Sequence, residues 1–243
     1  DNFSEQSLDK LNIEEFEELE KYILNKLSAV DESVKENLKN YNFHKMYKDL
    51  LSFCALDLSS FYFDIRKDVL YCDDKNSKKR KDCIIVLNVL LECLLKWFAP
   101  ILVFTTEEIY SLIDKTEKSI HELTFTKIPS SWKNSRLNER WQSLYKIKQE
   151  VNIAIEEKRT AKEIGSSLDA EIDITLDKSD FDLLNSLDLA EYFITSRATK
   201  HLNEASEKGL KIKVKKSLGL KCPRCWKILN VKCVRCESVI KNN

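Results

Sequence analysis

The chain has 243 residues, of which 43% are hydrophobic and 33% charged, with 40 basic and 40 acidic side chains. That is enough apolar material for a core and too much charge for a membrane-spanning protein, and the longest apolar run, Ile84 to Leu95, is broken by Asn88 and Glu92. A net charge of zero says nothing about a polyanionic partner, but its distribution does: from Gly209 onward ten basic residues stand against the single acid Glu237, whereas Glu14, Glu15, Glu17, Glu18 and Glu20 make the start of the chain acidic.

With only three Gly and three Pro, the apolar spacing is helical through most of the first 165 positions. Phe16, Leu19, Ile23, Leu27, Val30, Val34 and Leu38 predict a first long helix. Phe43, Tyr47, Leu50, Cys54, Leu58, Phe61 and Ile65 predict a second. After a polar break from Cys72 to Lys81, the residues Cys83, Leu87, Leu90, Leu91, Leu94 and Phe98 form the buried stripe of a third, with Asn88, Glu92 and Lys96 on its opposite face. Pro100 interrupts it, and Thr105-Thr106-Glu107-Glu108 reads as a capping box, with Phe104 and Ile109 as its staple, opening a fourth helix from Thr106 to Ile113. Thr116 to Ser135, with Pro129 and few periodic residues, reads as a crossover loop. In a fifth helix Leu137, Trp141, Leu144, Lys148, Val151 and Ile155 share one face, and Arg140, Lys146, Lys158, Arg159 and Lys162 supply positive charge along its length. After Gly165 the period changes: Glu171 to Leu176 alternates polar with apolar, and Tyr192-Phe193-Ile194 and Lys211 to Val214 are short and β-prone. The expected architecture is mainly α: a helical bundle over 1–165, a small α+β junction over 166–216 and a four-cysteine zinc ribbon or knuckle over 217–243.

The eight cysteines fall into two classes. Cys54, Cys83 and Cys93 lie on or beside helical stripes and Cys72 near a helix end, where a thiol packs as a small hydrophobe. Cys222, Cys225, Cys233 and Cys236 are instead spaced Cys-x-x-Cys, seven residues, Cys-x-x-Cys, so that two close pairs can converge on one tetrahedral ion. Disulfides would need an oxidising compartment, which nothing in the sequence suggests. Four sulfurs fill the coordination shell, so the expected cofactor is one structural zinc ion. The spacer, Trp226 to Lys232, has room for a hairpin but not for a recognition helix, so DNA is not an expected partner. Trp226 either covers the metal site as a local core or offers a stacking face to an unpaired base; the sequence leaves both readings open.

Four blocks together are specific enough to name a family. They are Phe43-His44 with Ser60 to Asp68 and Tyr71; Trp97 to Leu102 with Phe104-Thr105 and Glu108; Trp141, Leu144, Glu150-Val151-Asn152, Ile155-Glu156, Arg159, Lys162, Gly165 and Ser167-Leu168; and Lys221-Cys222-Pro223-Arg224-Cys225-Trp226. Over nearly all its length the chain resembles the C-terminal part of bacterial-type isoleucyl-tRNA synthetases, the anticodon-binding helical bundle followed by a zinc module. The bundle type is shared with the valyl, leucyl and methionyl enzymes; the tail makes the distinction. Two departures are a shorter spacer between the cysteine pairs and Lys148 where Arg is common.

The resemblance implies a class I ligase that joins isoleucine to its tRNA by ATP-dependent adenylation and transfer. This sequence has no Gly-rich phosphate loop and neither of the family's ATP motifs, so no catalytic residue is expected in it. ATP is expected only in a catalytic domain elsewhere in the polypeptide, which is one expected partner; the anticodon arm of the isoleucine tRNA is the other, in the cytoplasm and without a membrane. The candidate tRNA contacts are Lys221, Arg224, Trp226, Lys227 and Arg235 in the tail and Arg140, Lys148 and Arg159 on the fifth helix. The alternative is a zinc-ribbon protein-interaction module with no RNA role.

Overall fold

The computed structural model describes residues 8–113, 118–203 and 209–241. The chain forms two compact units, one from Asp1–Phe63 and Lys75–Asn138, the other from Asp64–Asp74 and Glu139–Asn243. These follow contacts, whereas the expected division after 165 and after 216 follows composition.

The first unit is helical. Helix α1 (Glu18–Lys39) carries acids in its first turn and Lys39 in its last, matching the helix dipole, and buries Leu19, Ile23, Leu27 and Val34 along the expected stripe. Helix α2 (Phe43–Ser52) starts where the Asn42 side chain accepts the Lys45 N–H. The second predicted helix then departs from expectation, because Phe53–Phe63 is wound as a π-helix. Leu50, Leu58, Phe61 and Ile65 of the expected stripe are buried, but the wider turn, with a five-residue step from Phe53 to Leu58, adds Met46, Phe53 and Tyr62 and leaves Phe43 and Tyr47 exposed.

Helix α4 (Lys78–Phe98) is capped by Ser77 and buries Cys83, Val86, Val89, Leu90, Cys93 and Trp97. Lys96, expected on the solvent face, is buried: its Nζ donates to Glu92 Oε1 at 2.8 Å and to Thr126 Oγ1 at 3.1 Å. Helix α5 (Val103–Ile113) begins earlier than the capping box required. Thr105 lies inside its first turn, Phe104 is 90% exposed, and the Thr106 hydroxyl donates back to the Leu102 carbonyl. The crossover contains two short 3-10 turns, Ile120–Glu122 and Ser130–Trp132, with Ile120 and Trp132 buried; Thr116 and Glu117, at its expected start, lie outside the described residues. The Asn134 N–H donates to Asn25 Oδ1 on α1 at 2.8 Å.

The second unit contains α3 (Asp64–Cys72) and most of α6 (Ser135–Thr160), which buries Trp141, Leu144, Ile147, Lys148, Val151 and Ile155. A three-stranded sheet of order β2-β1-β3 follows, from β1 (Ala170–Leu176), β2 (Arg197–Leu202) and β3 (Lys211–Lys216). β1 and β2 are parallel and are joined by α7 (Lys178–Leu183) and α8 (Leu189–Tyr192); β3 returns antiparallel to β1. Tyr192-Phe193-Ile194, expected as a strand, instead ends α8 and turns through a positive φ at Ile194, burying both aromatic rings. The chain closes with a hairpin of β4 (Leu220–Lys221) and β5 (Ile228–Leu229) and with α9 (Val234–Lys241). Gly219 permits that hairpin: its φ is 135°, and a Cβ there would lie 2.3 Å from the Leu229 carbonyl oxygen.

Candidate metal centre and nucleic-acid interface

Cys222 and Cys225 belong to a tight turn between β4 and β5, closed by the Trp226 N–H donating to the Cys222 carbonyl at 3.0 Å and the Cys222 N–H donating to the Lys227 carbonyl at 2.9 Å. Cys233 immediately precedes α9 and Cys236 lies in its first turn, so the second pair is presented from a helix start. The two pairs converge: the four Sγ atoms all lie within 4.8 Å of one another, and Cys225 and Cys233 are 3.9 Å apart. Tetrahedral Zn–S bonds of ~2.3 Å would set sulfurs about 3.8 Å apart, so the four cysteines can hold a metal ion.

Burial pushes the Cys222 thiol up, but the backbone N–H groups of Cys225 and Arg224 outweigh it and bring it down to about 7. Cys225 and Cys236 are raised, by burial first and then by neighbouring sulfurs. Sulfurs packed this closely resist joint ionisation, and a divalent cation reverses that. Cys72 packs against this group; burial and the nearby Asp68 push it up to about 11, which keeps it a thiol.

Two arginines fasten the module to α3. Arg224 donates to the Cys72 carbonyl at 2.7 Å and the Tyr71 carbonyl at 3.0 Å, meeting carbonyls that the end of α3 leaves without helical partners. Arg235 grips Asp68 with both terminal nitrogens, at 2.7 and 2.9 Å, and reaches Asp73 at 3.0 Å. Against the burial that raises it, the Arg235 guanidinium holds the Asp68 carboxyl below its ordinary range. Asp68→Asn should therefore cost about 1–2 kcal/mol in urea unfolding with the metal content unchanged; a variant as stable as the parent would show the clamp to be inert.

The candidate tRNA contacts divide by placement. Trp226, Lys221 and Arg159 are exposed, although Lys221 Nζ lies 3.5 Å from Asp169 and Arg159 pairs with Glu156 at 2.7 Å. Lys227 is half-buried. Arg224 and Arg235 are engaged as described, and Arg140 donates to the Leu183 carbonyl at 2.8 Å and Ser186 Oγ at 2.7 Å. Lys148 is the correction: it is 4% exposed, and its Nζ donates to the Tyr192 carbonyl at 2.5 Å and sits over the Tyr192 ring, so it is a strut inside the unit. The sequence already held the signal, since Lys148 occupies the apolar stripe between Leu144 and Val151.

Trp226 is 61% exposed and held at a φ of 62°, so it does not cover the metal site. The left-handed region is unfavourable for a bulky side chain and costs of order 1–2 kcal/mol. The pairing of Asp68 and Asp73 with Arg235 has no signal in the sequence, because nothing local ties them to a residue more than 160 positions away.

Residues 20–174 match the family model described as the anticodon-binding domain of tRNA ligase. The isoleucine–tRNA ligase of Pelagibacter ubique is 51% identical over 97% of this chain and 26% of its own length. Those of Agrobacterium fabrum and Zymomonas mobilis are 40% and 35% identical over 87% and 99% of this chain and 23% and 26% of their own. The chain thus spans about a quarter of the length of the curated relatives it matches. It belongs to the family of anticodon-binding domains of tRNA ligases, and its similarity along almost its whole length is to the isoleucine ligases.

Proposed function

We propose that this chain is the tRNA-recognition portion of a cytoplasmic isoleucine–tRNA ligase, binding the anticodon arm while ATP-dependent adenylation and transfer belong to a catalytic domain elsewhere in a longer polypeptide. A zinc ion held by Cys222, Cys225, Cys233 and Cys236 has a structural task, because four sulfurs leave no position open for water or substrate. The observation that carries the reading is Trp226. Its backbone conformation suits glycine and its ring is largely in water, so neither local geometry nor packing accounts for an indole there. An exposed ring on a rigid turn among basic residues is suited to stack on an unpaired base, with phosphates held by neighbouring cations.

Trp226→Gly separates display from folding. The variant should bind its metal as before and be about 1 kcal/mol more stable, because strain is relieved, while losing roughly 30-fold in affinity for a tRNA with an isoleucine anticodon. Fluorescence titration of tRNA alongside thermal unfolding reads both. Unchanged affinity would remove Trp226 from the interface, and failure of the parent chain to bind any RNA at low salt would favour a protein-interaction module.

A further inference from the structure

The three-stranded sheet has one face buried by Ala170, Ile172, Ile174 and Leu176 of β1. Its other face is read from the register. Arg197, Glu171 and Lys215 form one row, Thr199, Asp173 and Lys213 the next, and His201, Thr175 and Lys211 the third. The acids occupy the central strand and the cations flank them, with Lys211, Lys213 and Lys215 all exposed on β3. Alternate residues on a strand are about 7 Å apart, so these lysines form a comb of positive charge. The face carries no large apolar side chain, which does not suit the core of a protein–protein interface, where lysine and acids are depleted. Hydroxyls and cations on a solvated surface are instead the groups that contact nucleic-acid backbones.

This face is continuous with the zinc hairpin. Arg197 donates to the Leu218 carbonyl at 3.4 Å and to Asn230 Oδ1, both in that hairpin region. The Ile228 N–H donates to Ser196 Oγ at 2.6 Å, and the Ser217 N–H to the Asp169 carbonyl at 2.7 Å. The hairpin that displays Trp226 is thereby stitched to the strand ends beside the lysine comb.

We infer that the open face of this sheet, with Lys211, Lys213 and Lys215 on β3, is a second contact surface for the tRNA, gripping backbone phosphates next to the zinc hairpin, while Arg197 on β2, paired with Glu171 at 3.3 Å, ties that face to the hairpin. The inference rests on the reading of the chain as a tRNA-binding portion. Asp173 moderates the surface: Lys215 Nζ lies 2.8 Å and His201 Nε2 3.7 Å from its carboxylate.

The test is tRNA binding by the metal-loaded 243-residue chain across a potassium chloride series. Changing Lys211, Lys213 and Lys215 together to Gln should lower the slope of log K against log salt by about 2, which is ~100-fold weaker binding near 0.1 M salt and convergence with the parent towards 1 M. Asp173→Asn should strengthen binding several-fold at low salt, since it removes a carboxylate from a phosphate-facing surface. A triple variant with the parental slope overturns the inference while leaving the Trp226 reading intact, and if it also self-associates, the lysines are guards of an edge strand. A parent chain that binds no tRNA overturns both.

Discussion

Removing the metal from the four-cysteine site is expected to unfold the module from Ser217 to Lys241. The hairpin strands have two residues each, and apart from the cysteines the hydrophobic side chains buried there are Ile228 and Val239. So small an apolar core cannot offset the entropy of ordering some 25 residues, at ~1 kcal/mol or more each. A closed four-thiolate zinc site contributes on the order of 10 kcal/mol, so a zinc ion held by these four cysteines would be the dominant stabilising element of the module. Without it, four converging sulfurs must protonate or separate, Arg224 and Arg235 lose their grip on α3, and Trp226 is no longer displayed. Chelation of the intact chain should render 217–241 sensitive to protease and reduce tRNA affinity, while the helical signal of the first unit persists. Cys233→Ser should reproduce the effect with metal content falling towards zero. A metal-free chain with full protease resistance in that segment would refute the structural role.

What could be read beforehand follows from how local each cause is. The cysteine spacing is local, and the structure brings those four residues together as read. Helices α1 and α6 were legible because their stripes keep a 3.6-residue period over 22 and 26 residues. Along the second helix Leu50, Leu58, Phe61 and Ile65 are buried as the stripe predicts, whereas Phe43 and Tyr47 are exposed and Met46 and Phe53 take the buried positions, because an α-helical period does not carry across the π-wound stretch. At Thr105 the polar residues of a capping box are present, but the helix start is fixed one turn earlier, where the Thr106 N–H donates to the Leu102 carbonyl at 2.9 Å. Arg235 is expected to face a tRNA because a lone basic residue looks free in one dimension; the structure adds a partner, Asp68, 167 positions away. Charge in the tail was therefore legible as a sum but not in its assignment, with some cations fastening the module and others left to face solvent.

Lys148 carries the second large expected effect. Burial dominates its environment and lowers its pKa to about 8, with Asp64 opposing that shift and Lys67 adding to it. In the unfolded chain the same ammonium titrates near its ordinary value of about 10.4. Between these values the unfolded state holds the proton that the folded state has released, so stability rises with pH across this window. Below about pH 8 both states are protonated and the full cost of burying the charge is present; above about 10.4 both are neutral and the cost is gone. The gain integrates to about 3 kcal/mol. Lys148→Met has no proton to release, so the stability difference between parent and variant should shift by that amount between pH 8 and 10.4, whatever constant offset the lost hydrogen bond to the Tyr192 carbonyl adds. Urea unfolding of both chains at several pH values isolates it, because other titrating groups are common to the two and cancel. A difference that stays flat with pH would mean that Lys148 is not buried as a charge. A sloping one would establish it as the strut beneath Tyr192, and would account for a cation in the middle of an apolar stripe by its bond to the Tyr192 carbonyl.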